Sequence, residues 1–98
     1  MDSGKPIIWK DEAKEDLWDV LHYLSRSSSV YVDNWSNELT KKLGLLESFP
    51  EMGRKVPEKE LTHLRELLIG NYRLLYIYLQ DTITIIAIRH QSSQLGKL

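Results

Sequence analysis

The chain has 98 residues, 42% hydrophobic and 28% charged, which is the balance of an ordinary globular protein. That length is near the common size of one domain and suffices to bury about two-thirds of the unfolded surface. It contains no cysteine, which excludes disulfides, thiol catalysis and cysteine-ligated metals and fits a reducing cytoplasm, and its net charge of −1 weighs against general nucleic-acid binding by the chain alone.

The near-neutral total hides an asymmetry. Residues 1–50 carry six Lys/Arg against nine Asp/Glu, whereas residues 51–98 carry seven against five. Arg26 is the only arginine of the first half; Arg54, Arg65, Arg73 and Arg89 lie in the second. No apolar run, Ile83 to Ile88 with its break at Thr84 included, is long enough to span a bilayer, so no membrane role is expected. Met1 to Lys5 is polar with no apolar stretch behind it, and no signal peptide is expected.

Pro6-Ile7-Ile8-Trp9 reads as a first strand, ended by Lys10-Asp11-Glu12. Asp11 suits the N-cap of a helix whose opening acids, Glu12, Glu15 and Asp16, favour the positive end of its dipole. Ala13, Leu17, Val20, Leu21 and Leu24 recur at helical spacing and predict a helix over about 12–26. Ser25-Arg26-Ser27-Ser28-Ser29 reads as a turn, too short for a domain linker. A second helix over about 30–48 follows, with Val32, Trp35, Leu39, Leu43 and Leu46 inward and Pro50 and Gly53 stopping it. A tight antiparallel helix hairpin is expected.

After Pro57 the period becomes strand-like. Leu64–Ile69, Tyr72–Leu79 and Thr82–Arg89 are β-rich, and Gly70-Asn71 and Gln80-Asp81 suit hairpin turns. The predicted fold is α+β, β-α-α-β-β-β, with the helix hairpin packed on a mostly antiparallel four-stranded sheet. One domain over residues 1–98 is expected, with no internal repeat.

Arginine keeps its proton, and its planar fork suits phosphate or carboxylate, so Arg54, Arg65 and Arg73 are the sharpest candidates for an anion-facing surface. The plainer alternative is that each pairs with a local carboxylate such as Glu51, Glu58 or Glu66. In Tyr72-Arg73-Leu74-Leu75-Tyr76, alternation puts Tyr72, Leu74 and Tyr76 on one face and Arg73 and Leu75 on the other. With helices on the first face, Arg73 looks outward from a central strand, where a groove can form. His90 ends the last strand as a possible general acid or base, or as a strand-end histidine bonded to backbone. His22 and His63 read as surface residues, and the three histidines show no metal-ligand spacing. The tyrosines and Trp9, Trp18 and Trp35 read as core and sheet packing. No phosphate-cradling glycine loop, Ser-His-Asp set or spaced carboxylate pair is present. An enzymatic reading would rest on Arg, Lys, Tyr or His alone, as in RNA cleavage through the 2′-hydroxyl.

Taken together, Ile7-Ile8-Trp9, the helix with Ala13 and Asp16-Leu17, Leu46-Glu47-Ser48-Phe49-Pro50, the Gly53-Arg54 turn, Arg65-Glu66-Leu67, Tyr72-Arg73-Leu74-Leu75-Tyr76 and Ile85-Ile86-Ala87-Ile88-Arg89-His90 resemble the ParE/RelE superfamily of type II toxin–antitoxin toxins, the ParE (plasmid-stabilisation) branch in particular. The resemblance spans nearly the whole chain and implies a small growth-inhibiting toxin; a cytoplasmic location and no cofactor or metal are expected. It further implies a cognate antitoxin whose C-terminal segment folds onto the toxin, giving a toxin–antitoxin hetero-oligomer. RelE-like members cut messenger RNA in the ribosomal A site, whereas ParE-like members inhibit DNA gyrase. The RelE-like nucleases use an arginine matching Arg73, a second arginine just after the last strand and usually a C-terminal tyrosine. Here the second position reads His90-Gln91-Ser92-Ser93, and no tyrosine follows Tyr78.

The favoured expectation is therefore a ParE-like toxin acting by binding, with gyrase as target and Arg54, Lys55, Arg65, Arg73, Tyr76, Arg89 and His90 as the target- or antitoxin-binding surface. The alternatives are a ribosome-dependent endoribonuclease, with Arg73 and His90 catalytic and Lys55 a further proton carrier, or an inactive antitoxin-binding member of the fold.

Overall fold

The computed structural model describes residues 4–93, 95 and 96. Among them the elements run β1 (Ile7–Trp9), α1 (Asp11–Ser27), α2 (Ser29–Ser48), β2 (Arg54–Lys55), β3 (Leu64–Ile69), β4 (Tyr72–Leu79) and β5 (Thr82–His90). The strands form one sheet in the order β1-β5-β4-β3-β2, in which only the β1–β5 pair is parallel. The α+β class and the helix hairpin on a mostly antiparallel sheet agree with the sequence reading. The sheet has five strands rather than four, because Arg54–Lys55 adds a two-residue edge strand to β3. Two residues are too few to show a period.

The helix junction is tighter than expected. One residue, Ser28, separates α1 from α2 in place of a five-residue turn. Ser28 is extended (φ −172°, ψ 139°) and serves both helices. Its N–H donates to Leu24 O at 3.2 Å, closing α1, and its Oγ accepts from Val30 N at 3.0 Å, opening α2. At the other end of α1 the cap is Lys10, with no side-chain bond; Asp11 is already the first helical residue. Asp11 and Glu12 still sit where the dipole favours an acid.

Ala13 and Val20 of α1 and Trp35, Leu39 and Leu46 of α2 are buried against Leu67, Ile69, Leu74, Tyr76, Ile83, Ile85 and Ile88 of the sheet. Each such aliphatic side chain contributes about 1.5–3 kcal/mol on full burial. Trp35 adds direction, since its Nε1 donates to Ile69 O at 3.0 Å beside the β3–β4 turn. That turn begins with Gly70 at φ +55°, and the β4–β5 turn places Gln80 (φ 52°) and Asp81 (φ 60°) in the same left-handed region, as tight hairpin turns require.

A bulge sets the phase of β5. Leu75 pairs with Ala87 but Tyr76 pairs with Ile85, leaving Ile86 as the extra residue. Ile85 and Ile88 consequently both reach the helix-side core, while Ile86 and Ala87 turn to the second face. There a smaller cluster of Val56, Leu64, Leu75, Ala87 and Leu95 is buried. Val56 belongs to the β2–β3 connection and Leu95 lies after β5, so both segments fold over the face away from the helices.

Candidate functional site

The turn after α2 is held from the sheet side. Tyr76 on β4 is fully buried; its hydroxyl donates to Pro50 O at 2.7 Å and accepts from Gly53 N at 2.9 Å. Arg65 on β3 donates to Gly53 O at 2.8 Å and Glu51 O at 3.2 Å, with the Glu51 carboxylate 3.9 Å away. Gly53 has to be glycine because of this closeness: a Cβ would lie 2.6 Å from Tyr76 Oη and 2.7 Å from Glu66 O. Burial pushes the Tyr76 phenol pKa above its ordinary 10.0, against a smaller downward pull from the Gly53 N–H and Arg65. The expectation that Tyr76 belongs to a binding surface is corrected: its ring lies in the core and its hydroxyl is spent on the turn.

Arg73 lies where alternation placed it, on the face away from the helices, but that position is enclosed rather than open. Its Nη1 donates to Glu58 Oε1 at 3.0 Å and to Glu66 Oε1 at 3.1 Å. Its Nη2 donates to Glu58 Oε2 and, at 3.3 Å, to Ser93 O. Arg54 on β2 donates through Nε to the other oxygen of Glu66. Glu66 thus sits fully buried between two arginines, one enclosed and one exposed. Two cations face two carboxylates, so the cluster is neutral. The plainer reading, pairing with Glu51, Glu58 and Glu66, describes what all three arginines do. Alternation specifies a face but says nothing of what covers it; here Glu58 and Ser93 arrive from 15 and 20 residues away.

The remaining candidates do not join this cluster. Lys55 pairs in register with Arg65, whereas Arg54 pairs with Glu66, so Lys55 points to the helix side and is exposed. Arg89 donates to Asp16 Oδ2 on α1 at 2.6 Å and to Ile88 O at 3.2 Å. His90 pairs with Tyr72 across the strands and meets its ring edge-on at 5.2 Å, on the helix side of the sheet. Its Nδ1 accepts from Ser92 N at 3.1 Å, the backbone-bonded strand-end arrangement. Arg73 and His90 therefore occupy opposite faces and do not converge on one reacting atom.

Sequence reasoning missed Asp16 as a bridging group. The same Oδ2 that holds Arg89 also accepts from Ile88 N at 2.9 Å, in the part of β5 that lies beyond the last β1 pairing at Ile85. It likewise missed Leu95, after β5, as a member of the second core cluster. The aromatic residues were over-assigned to the core: Trp35 is buried, but Trp18 is 62% exposed and meets the His22 ring at a 59° tilt with centroids 4.6 Å apart, and Tyr23 and Tyr31 are also exposed. A groove of about 460 Å³ lies beside Tyr31, Trp35, Glu38 and Tyr72, away from the arginine cluster. Among the described residues no helix is long and apolar enough to cross a membrane, and no group of three or more His, Cys, Asp or Glu could hold a metal ion.

A helix hairpin packed on one face of a five-stranded, mostly antiparallel sheet is the fold of the small ParE/RelE-type toxins. One similar chain, from the chromosomal ParDE TA system of P. aeruginosa, is 17% identical with a TM-score of 0.66, over 87% of this chain and 94% of that one. A chain of the RelBE2 toxin–antitoxin complex from Mycobacterium tuberculosis is 22% identical (TM-score 0.61; 89% and 98% covered). A chain of the E. coli DinJ-YafQ toxin–antitoxin complex is 12% identical (TM-score 0.63; 95% and 99% covered). At these identities the likeness speaks for the fold. The family is given by sequence: the model of the ParE toxin of type II toxin–antitoxin systems (parDE) matches residues 7–95, and the chain belongs to that family. No curated protein matches the chain by sequence at a significant level.

Proposed function

We propose that this toxin inhibits growth by binding its target rather than by cutting RNA, with DNA gyrase as the target and a cognate antitoxin as its stable partner in the cytoplasm. The observation that carries this reading is the separation of Arg73 from His90. A 2′-hydroxyl cleavage needs a proton acceptor and a cation on the same phosphate. Here the cation is committed to Glu58 and Glu66, and the imidazole stands across the sheet. The net charge of −1 supports the same direction, because a ribosomal RNA-binding site gains little from a neutral chain. The antitoxin is proposed from the family and from the toxin–antitoxin complexes among the similar structures. Under this reading Arg54, Lys55, Arg65 and Arg89 are the polar part of the contact surface.

The deciding experiment adds purified protein to a gyrase supercoiling assay and, in parallel, to a translating extract. Inhibited supercoiling with intact messenger RNA is the expected pair of results. Messenger cleavage that depends on translation and disappears in Arg73→Ala would instead make the protein an endoribonuclease. Normal growth on overexpression without antitoxin would leave it an antitoxin-binding member of the fold with no toxic activity.

A further inference from the structure

The two carboxylates on Arg73 are not equivalent. Glu66 belongs to β3 and is fully enclosed; Glu58 belongs to the irregular β2–β3 connection, and its side chain is 40% exposed. Glu58 nevertheless holds the better part of the guanidinium, taking Nη1 and Nη2 with separate oxygens in the two-pronged geometry that suits a carboxylate. The Arg73 side chain is only 6% exposed, and its Nε is buried without a hydrogen-bond acceptor among the described residues. The connection itself is lightly held. Val56 is buried and Lys59 donates to Gly96 O, but residues 60–63 are exposed, including Leu61 at 56%. Segments with few buried apolar contacts open first. Without Glu58, two arginines would stand over one buried glutamate, leaving a single positive charge in a site already shaped for one carboxylate.

We infer that Glu58 is the internal occupant of a carboxylate-binding site centred on Arg73, and that an Asp or Glu side chain of a protein partner takes its place when the β2–β3 connection moves aside. The inference rests on the reading of this toxin as one that acts through binding. Charge selects carboxylate over phosphate. One carboxylate restores neutrality, whereas a phosphate dianion leaves an excess negative charge next to Glu66, which is buried and cannot be screened by water. The tethered Glu58 competes with any incoming group, so the apparent affinity for a partner carboxylate is reduced by the fraction of time the connection is open. The site is thereby silent toward small anions and available to a partner that also displaces the connection.

The test uses the full chain, with the ¹⁵N NMR signal of the buried Arg73 Nε–H as reporter, in wild type, Glu58→Gln and Glu58→Ala. Thermal unfolding establishes that each variant is folded; Glu58 is half-exposed, and two different replacements guard against one that misfolds. Sodium acetate and inorganic phosphate are titrated separately at constant ionic strength. Saturable acetate binding is expected in both variants, about tenfold or more tighter than in wild type for a connection open at most about a tenth of the time, with phosphate weaker. Equal acetate binding in wild type and variants overturns the inference. So does a preference for phosphate, or no saturable shift in either folded variant. Growth arrest and gyrase inhibition do not enter the measurement, so a failure of the toxin mechanism and a failure of this site are told apart.

Discussion

Arg73 and Glu66 meet at 3.1 Å with both side chains out of solvent, an ion pair inside the sheet's second face rather than on its surface. Neutralising Glu66 leaves Arg73 held by Glu58 alone and Arg54 without its carboxylate. Glu66→Gln is expected to lower stability by about 1.5–3 kcal/mol in urea unfolding. Glu58→Gln removes a half-exposed partner of the same arginine and is expected to cost about 1 kcal/mol or less. Similar losses for the two changes would show that Glu66 is not the buried anchor of the cluster.

Gly53 and Tyr76 make a second coupled pair. A methyl group at position 53 would meet both Tyr76 Oη and the Glu66 carbonyl, so Gly53→Ala is expected to cost about 1–3 kcal/mol, the usual range for overpacking. Tyr76→Phe deprives the Gly53 N–H of its acceptor and is expected to cost about 1–3 kcal/mol. Because phenylalanine also removes the hydroxyl, one of three close contacts, and leaves the ring Cε1 and Glu66 O at 2.7 Å, the double change should cost somewhat less than the sum. A double-mutant cycle measures this directly, and strict additivity would show that the residues do not share the site.

The same tyrosine predicts the alkaline limit of the fold. Burial raises the Tyr76 pKa above 10.0, so the unfolded chain loses this proton at a lower pH than the folded one. The folded state therefore binds more protons through that window, and stability is complete below pH 10.0 and falls as pH rises past it. Urea midpoints for wild type should decline more steeply from about pH 10 upward than those for Tyr76→Phe, which lacks the ionising group. Parallel declines would remove Tyr76 as the cause.

The elements and their faces were legible because they are local. Ala13, Val20, Leu39 and Leu46 recur at helical spacing, and the alternation around Tyr72 to Tyr76 put Arg73 and Leu75 opposite the helices, where they are. The closure of that face was not legible, since it joins Arg73 to Glu58 and Ser93 across turns that no period reports. The two-residue β2 was silent for want of length, and the bulge at Ile86 gives no local sign because isoleucine suits either face. Trp18 was misplaced by its composition alone: it lies one residue past Leu17, on the outer side of α1.

Asp16 offers the longest-range test, because it joins α1 to β5 across 72 residues of sequence. β1 pairs with β5 only as far as Trp9 with Ile85, so farther along the strand the Ile88 N–H turns to a side chain for its acceptor. Asp16 Oδ2 fills that role at 2.9 Å and holds Arg89 at 2.6 Å with the same oxygen. Asp16→Ala leaves the Ile88 N–H without an acceptor and should cost about 1–3 kcal/mol, whereas Asp16→Asn keeps a carbonyl for Ile88 and loses only the charge on Arg89. Amide hydrogen exchange gives the local readout: the Ile88 amide should exchange faster in Asp16→Ala and remain close to wild type in Asp16→Asn. If Ile88 stays equally protected in both variants, α1 is held to β5 by the apolar contacts of Ala13 and Val20 alone, and the carboxylate is not what secures the strand end.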